Sequence, residues 1–162
     1  MTVTYDLYAE TNPAFIAYLL HRFVLKFRGK TEAPPHISLS YLAVPIALTG
    51  NLESTFSGTN SRTGLLPWIS RFPEVRIGLH SNLAVGKDVT LRGIKAGVHG
   101  RLLTITKSAH LNLGSAKSPP ESLKGQLPDA PKACVSRIER LGGWMAEAGN
   151  PASIFSALEV QP

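Results

Sequence analysis

The 162 residues are 43% hydrophobic and 17% charged, with a net charge of +6 and a single cysteine. One cysteine excludes an internal disulfide framework and a thiolate zinc site, and a chain this long buries about 70% of its unfolded surface without such staples, as one domain. Charge below the usual ~25% leaves apolar faces for a partner chain to cover.

Asn12-Pro13 reads as a helix start, Asn as N-cap and Pro at the first helical position, where its missing N–H costs nothing. Phe15, Leu19, Phe23 and Phe27 recur at i+4, with Ile16, Leu20 and Val24 beside them. This predicts a wide apolar face with Arg22, Lys26 and Arg28 outside it, a bordering His21, and Gly29 as the stop. Residues 37–48 are ambiguous. Ile37, Leu39 and Tyr41 alternate like a strand, whereas Tyr41-Leu42-Ala43-Val44 is continuously apolar and Pro45 breaks either a central ladder or a long helix. A buried helix with Pro45 at a kink is the preferred reading.

Residues 51–56 suggest a short helix, 57–64 a polar loop, and 65–72 another short helix. Pro73 starts a helix with Val75, Leu79 and Leu83 on one face, and Asp88 caps the next, whose core stripe is Leu91, Ile94 and Val98. Leu103 with Ile105, and Leu111 with Leu113, alternate as two short strands about a Lys107-Ser108-Ala109 tip. Four prolines, two glycines and three serines between Gly114 and Pro131 mark a linker. Pro131 opens a long helix with the stripe Cys134, Ile138, Leu141 and Met145, stopped at Gly149-Asn150-Pro151; Ile154, Phe155 and Leu158 form a last short one.

The positive charge is concentrated. Between Lys87 and Lys117 six cations (Lys87, Arg92, Lys95, Arg101, Lys107, Lys117) stand against one anion, Asp88, a net of +5, so the rest is nearly neutral. A basic helix followed by a hairpin is how a winged helix presents itself to phosphate, with Thr90, Arg92, Lys95 and His99 outward and Lys107 at the wing tip. Lys87, Arg92, Lys95, Arg101 and Lys107 are therefore the candidate nucleic-acid contacts. They suit backbone rather than base edges, since no exposed Asn or Gln stands among them as a reader. The other reading is a solvated basic face, or one that meets an acidic protein. Gly93 and Gly97 make a smooth surface on the same helix, for a partner's backbone or for a neighbouring helix of the fold. Trp144, behind Gly142-Gly143, is the leading interface candidate, with a core anchor as the alternative.

Nothing advertises bond-breaking chemistry. The five histidines form no H-E-x-x-H and have no Cys or carboxylate at ligand spacing; Gly86-Lys87-Asp88 lacks the glycine and Ser/Thr of a phosphate loop; no G-x-S-x-G elbow and no paired carboxylates occur. Cys134 on its apolar stripe reads as an inert thiol. No catalytic residue, metal ligand or cofactor is assigned. No charged leader with a cleavage site opens the chain, and its apolar runs, around 15–27 and 37–48, do not suit a bilayer span, so a cytoplasmic protein with no membrane partner is expected.

Several landmarks in order resemble one bacterial family. They are Asn12-Pro13-Ala14-Phe15 with Leu19, Leu20, Arg22 and Phe23, then Leu42-Ala43-Val44-Pro45-Ile46-Ala47-Leu48 and Leu66-Pro67-Trp68-Ile69. Glu139-Arg140-Leu141-Gly142-Gly143-Trp144 and Ile154-Phe155-Ser156 follow. Over roughly residues 10 to 160 this is similar to the middle component of three-component ABC systems, operons pairing a small protein with an SMC/Rad50-like ABC ATPase and a third protein in an anti-phage or conflict setting. The resemblance implies a non-enzymatic adaptor and transfers no catalytic residues. This chain departs from it at the hairpin tip, where the family carries an acidic residue with Gly.

The expected fold is mostly α (α+β): a winged-helix-like multi-helix domain with one β-hairpin and a C-terminal helical appendage. Residues 1–114 would form the helical core with the winged-helix-like segment, 115–130 a linker, and 131–162 helices packing on that core. The expected role is an adaptor binding the ATPase and the third protein, with DNA held through its backbone. The alternative is a stand-alone winged-helix DNA-binding regulator.

Overall fold

The computed structural model describes residues 12–161, so the start of the chain, read above for a leader, lies outside the described residues. The elements are α1 (Pro13–Arg28), α2 (Ser40–Leu48), α3 (Leu65–Arg71), α4 (Leu79–His99), β1 (Leu103–Ile105), β2 (Leu111–Leu113), α5 (Ser122–Gln126), α6 (Asp129–Ala148) and α7 (Pro151–Ala157). Three 3₁₀ turns, Ile37–Leu39, Gly50–Phe56 and Pro73–Arg76, lie between them. The fold is mostly α with one antiparallel hairpin, as the periodicities require.

Helix α1 starts as Asn12-Pro13 dictates: Asn12 Oδ1 accepts from the Phe15 amide at 3.1 Å. It is the central helix, packed most extensively on α6 and α4, and every residue from Phe15 to Val24 is buried. That overturns the expected outer position of Arg22 and the bordering position of His21, which are only 3% and 2% exposed. Over that stretch the helix has no polar face; Lys26 and Arg28 in the last turns are exposed as expected, but the charge of Arg22 must be neutralised inside. Carboxylates from two other parts of the chain do this, as described below.

The ambiguous stretch is a helix. After the 3₁₀ turn, α2 buries Leu42 through Ala47, with Pro45 inside it. Pro45 packs on α4 at Gly86, where an added Cβ would lie 2.5 Å from the proline ring. The same device repeats along α4. A Cβ on Gly93 would come within 2.2 Å of Ile16 on α1, and one on Gly97 within 2.5 Å of Leu103 on β1. The buried face of α4 is therefore Leu79, Gly86, Thr90, Gly93, Ile94 and Gly97.

Three expectations for this region change. Leu91 and Val98 are 37% and 39% exposed rather than core, and Thr90 is buried, its hydroxyl donating to the Gly86 carbonyl at 2.8 Å. Asp88 is not a cap but an exposed mid-helix residue, because α4 begins nine residues earlier behind Gly78, whose left-handed φ of 73° turns the chain out of the Pro73–Arg76 turn. Ile94 of the expected stripe is core, 3% exposed, but glycines carry no hydropathy signal, so Leu91 and Val98 draw the expected face round the helix from the one that packs.

Helix α6 starts at Asp129, with Pro131 in its first turn, and buries Cys134, Ile138, Leu141, Trp144 and Met145 in the same core as α1. The Cys134 thiol, pushed up to about 11 by burial, donates to the Ala47 carbonyl. Phe56, Trp68 and Trp144 form an aromatic cluster with ring centroids 4.9 to 5.9 Å apart.

The hairpin pairs Leu103 with Leu113 and Ile105 with Leu111. Its tip answers the departure noted at Lys107-Ser108-Ala109. Thr106 N donates to His110 O and Ala109 N to Thr106 O, a three-residue loop that places Ala109 at φ 62°. A Cβ in the left-handed region costs about 1–2 kcal/mol, so Ala109→Gly should raise stability by roughly 1 kcal/mol. Chemical denaturation checks this, and a loss of stability would show that the Ala109 methyl is packed.

Candidate nucleic-acid interface

Arg92, Lys95 and His99, spaced i, i+3 and i+7, share the face of α4 opposite its glycines, and all three are exposed. Lys87 is exposed too but lies about a quarter-turn round the helix from Lys95. Arg92 is paired with Asp88 one turn earlier, Nη2 to Oδ2 at 2.6 Å, with both side chains more than half exposed. Such a solvated pair is worth little and exchanges readily for another anion. Among the described residues, no ion pair engages Lys87, Lys95, Arg101, Lys107 or Lys117.

Arg101 is the most informative of them. Helix α4 ends in a paired carbonyl cap: Leu102 N donates to Gly97 O at 2.9 Å and Arg101 N to Val98 O at 3.1 Å. In this cap the residue in the left-handed region is usually glycine, yet here it is Arg101, at φ 61°. Gly100 stands one position too early to take the role, at φ −80°. The Arg101 side chain is exposed and forms no ion pair among the described residues, while its backbone is held in place by the cap bonds and by Ala116 N, which donates to Arg101 O at 2.9 Å. The same turn sends the chain directly into β1 and carries Lys107 out to the hairpin tip, where it is exposed. The hairpin is in turn fixed to the body: Ile37 N donates to Ala109 O and Leu111 N to Pro35 O, and the His36 and His110 rings meet edge to face at 5.4 Å.

A family model, ABC-three component (ABC-3C) system Middle Component 3, matches residues 4–162, nearly the whole chain. The chain belongs to this family. Among curated proteins and solved structures, none matches. Membership makes this middle component a partner of the other proteins of an ABC-three component system. Among the described residues, no helix is long and apolar enough to cross a membrane, and no cluster of three or more His, Cys, Asp or Glu could hold a metal.

The structure places the other residues singled out from the sequence as follows. Gly93 and Gly97 are buried against Ile16 and Leu103 of the same chain, so their smooth surface is used inside the fold. Trp144 is fully buried, stacked on Phe56 with its Nε1 donating to Asn60 O at 3.0 Å. Gly142 admits the backbone of α1 rather than another molecule: its added Cβ would lie 2.7 Å from Phe23 O. These four residues act in this middle component as packing elements.

One charged constellation was missed. Arg22 reaches two carboxylates, Nη1 to Glu121 Oε1 at 2.8 Å and Nη2 to Glu139 Oε2 at 2.6 Å, and Lys124 binds the other oxygen of Glu139. Burial works to raise the Glu139 pKa, but hydrogen bonds from Lys124 and Arg22 overcome it and hold the carboxyl below its ordinary range. The guanidinium itself is held more firmly protonated than usual by the two carboxylates, against the opposing effect of burial. The signal available in the sequence was Arg22 itself, a cation between Leu19, Leu20 and Phe23 on a helix apolar nearly all round.

Proposed function

We propose that this middle component is a non-enzymatic adaptor in a bacterial anti-phage or conflict system, coupling an SMC/Rad50-like ATPase to the third component and holding DNA through backbone contacts with α4 and the hairpin. The family supports the adaptor role. The DNA contact is supported above all by Arg101: a cation kept at a left-handed position that favours glycine, exposed and without an ion-pair partner among the described residues. Arg92 and Lys95 on α4 and Lys107 at the tip extend the cationic surface, in the helix-then-hairpin order of a winged helix. Such a subunit alters ATPase behaviour by binding one ATPase state better than another, not by supplying reactive groups.

Two variants test the contact. Reversing Arg92, Lys95 and Lys107 to Glu should weaken duplex DNA binding about a hundredfold at low salt and reduce the log–log salt slope from about −5 to about −2. Arg101→Gly should stabilise the fold by about 1 kcal/mol while weakening DNA binding several-fold, a split that a structural role alone does not produce. Unchanged DNA retention in both variants would eliminate the basic face as a nucleic-acid contact.

A further inference from the structure

The segment from Gly114 to Pro128 crosses the face of α1 that carries His21 and Arg22, and is held there largely by polar pins. His21 Nε2 meets Ser118 Oγ at 3.2 Å, Arg22 clamps Glu121, and Lys124 binds Glu139. No residue of this segment is fully buried; Leu123 and Leu127 supply its partly buried apolar anchorage. A strap of this kind belongs to the low-stability end of a fold.

Along its edge runs an open cleft rich in cations. Arg22, Lys26, Lys124 and Arg140 line one cleft, against the carboxylates of Glu139 and Glu121. Glu139 belongs to the body, on α6, with its side chain only 11% exposed. Glu121 is brought by the strap and is 77% exposed, yet both its oxygens are taken by Arg22, at 2.8 and 3.1 Å. That two-pronged geometry is how a guanidinium recognises a carboxylate. Tyr18 Oη and His21 Nδ1 are buried beside Arg22 on α1 without a hydrogen-bond partner among the described residues. Buried unpaired polar atoms are rare enough to call for an explanation.

We propose that this cleft is a docking site for an acidic peptide segment of a partner protein, and that Glu121 occupies it as an internal stand-in until the partner's carboxylate displaces it. With the strap lifted, taking Glu121 and Lys124 with it, the cleft keeps three cations (Arg22, Lys26 and Arg140) and one carboxylate, Glu139, and the Tyr18 hydroxyl and His21 nitrogen gain access to the incoming chain. Arg22 changes one carboxylate for another, so its buried charge is never left uncompensated. The biological sense of the site rests on the adaptor reading. Its test needs neither ATPase nor DNA, so failure here leaves that reading standing.

The probe is a fluorescein-labelled hexaglutamate peptide titrated into the full chain by anisotropy. Removing the stand-in with Glu121→Gln should tighten binding about fivefold and speed amide hydrogen exchange over residues 116–126. Lys26→Glu, added to Glu121→Gln, should abolish the gain, whereas Arg92→Glu with Lys95→Glu in that background should preserve it. A Glu121→Gln chain with unchanged affinity and exchange overturns the proposal, as does a gain that disappears with the α4 reversals instead of Lys26→Glu. Equal tightening towards a single-stranded oligonucleotide overturns the assignment to a carboxylate-bearing peptide.

Discussion

Replacing Arg22 with Met should lower the unfolding free energy by about 3–5 kcal/mol. Met fills much of the same volume but leaves Glu139, 11% exposed, with only Lys124 and Lys26 within ion-pair reach. It also frees the strap, whose Glu121 then has no anchor. Breaking one side of a buried ion cluster costs far more than the cluster adds, because the remaining charge stays desolvated. Adding Glu139→Leu to Arg22→Met should therefore recover part of the loss.

The pH dependence follows from the same residues. The carboxyls of Glu121 and Glu139 are both held below the ordinary value of 4.5 in the folded chain, Glu121 by its hydrogen bonds from Arg22 and Glu139 by Lys124 and Arg22 against the effect of burial. In the unfolded chain they take up protons at higher pH than in the folded one. Their contribution is thus complete above the ordinary carboxylate pKa and is lost as pH falls through the folded values. Urea denaturation from neutral to acid pH should show stability falling below about pH 4.5 in the wild-type chain and a flatter acid limb in Arg22→Met. A variant within about 1 kcal/mol of wild type, with the same acid limb, would mean that the cluster behaves as a solvated surface pair.

Gly93→Ala should cost about 2–3 kcal/mol, although alanine is the better helix former by about 1 kcal/mol. The new methyl would sit 2.2 Å from Ile16 Cγ2, 2.7 Å from its Cβ and 3.3 Å from its backbone carbonyl carbon. Ile16 is β-branched and fully buried, so it has no free rotamer to retreat into, and α1 and α4 must move apart. Gly125→Ala is the matched contrast: no atom lies within 4 Å of its added Cβ, in an exposed short helix. It should stabilise by up to about 1 kcal/mol. Thermal unfolding of the two variants tests the pair, and the reverse order would show that α4 does not rest on α1 through its glycines.

These two sites mark where the sequence stops being legible. The helix start at Asn12-Pro13, the stop at Gly149-Asn150-Pro151, the apolar stripe of α6 and the two-stranded hairpin were readable because each is written in local spacing and cap chemistry. The face of α4 was not. Its contact surface joins Leu79 and Ile94 to Gly86, Gly93, Gly97 and a back-bonded Thr90, and these last four do not register as apolar, while Leu91 and Val98 do and yet lie outside. The burial of Arg22 depends on carboxylates 99 and 117 residues away, a tertiary pairing that no local window contains. The exposed positions of Arg92, Lys95, Arg101 and Lys107 were anticipated, because charge alone keeps such side chains in water. The strained backbone at Arg101 was not, since it arises from where the α4 cap falls.

If the chain is an adaptor that joins an ATPase and carries DNA on a separate basic face, co-expression with the proposed SMC/Rad50-like ATPase partner, followed by purification through a tag on that ATPase, will show both properties at once. The wild-type chain should co-purify with the ATPase and retain DNA, and the Arg92→Glu, Lys95→Glu, Lys107→Glu chain should co-purify equally well but retain little. A wild-type chain that elutes alone, or a triple variant that loses the ATPase and the DNA together, would contradict this role.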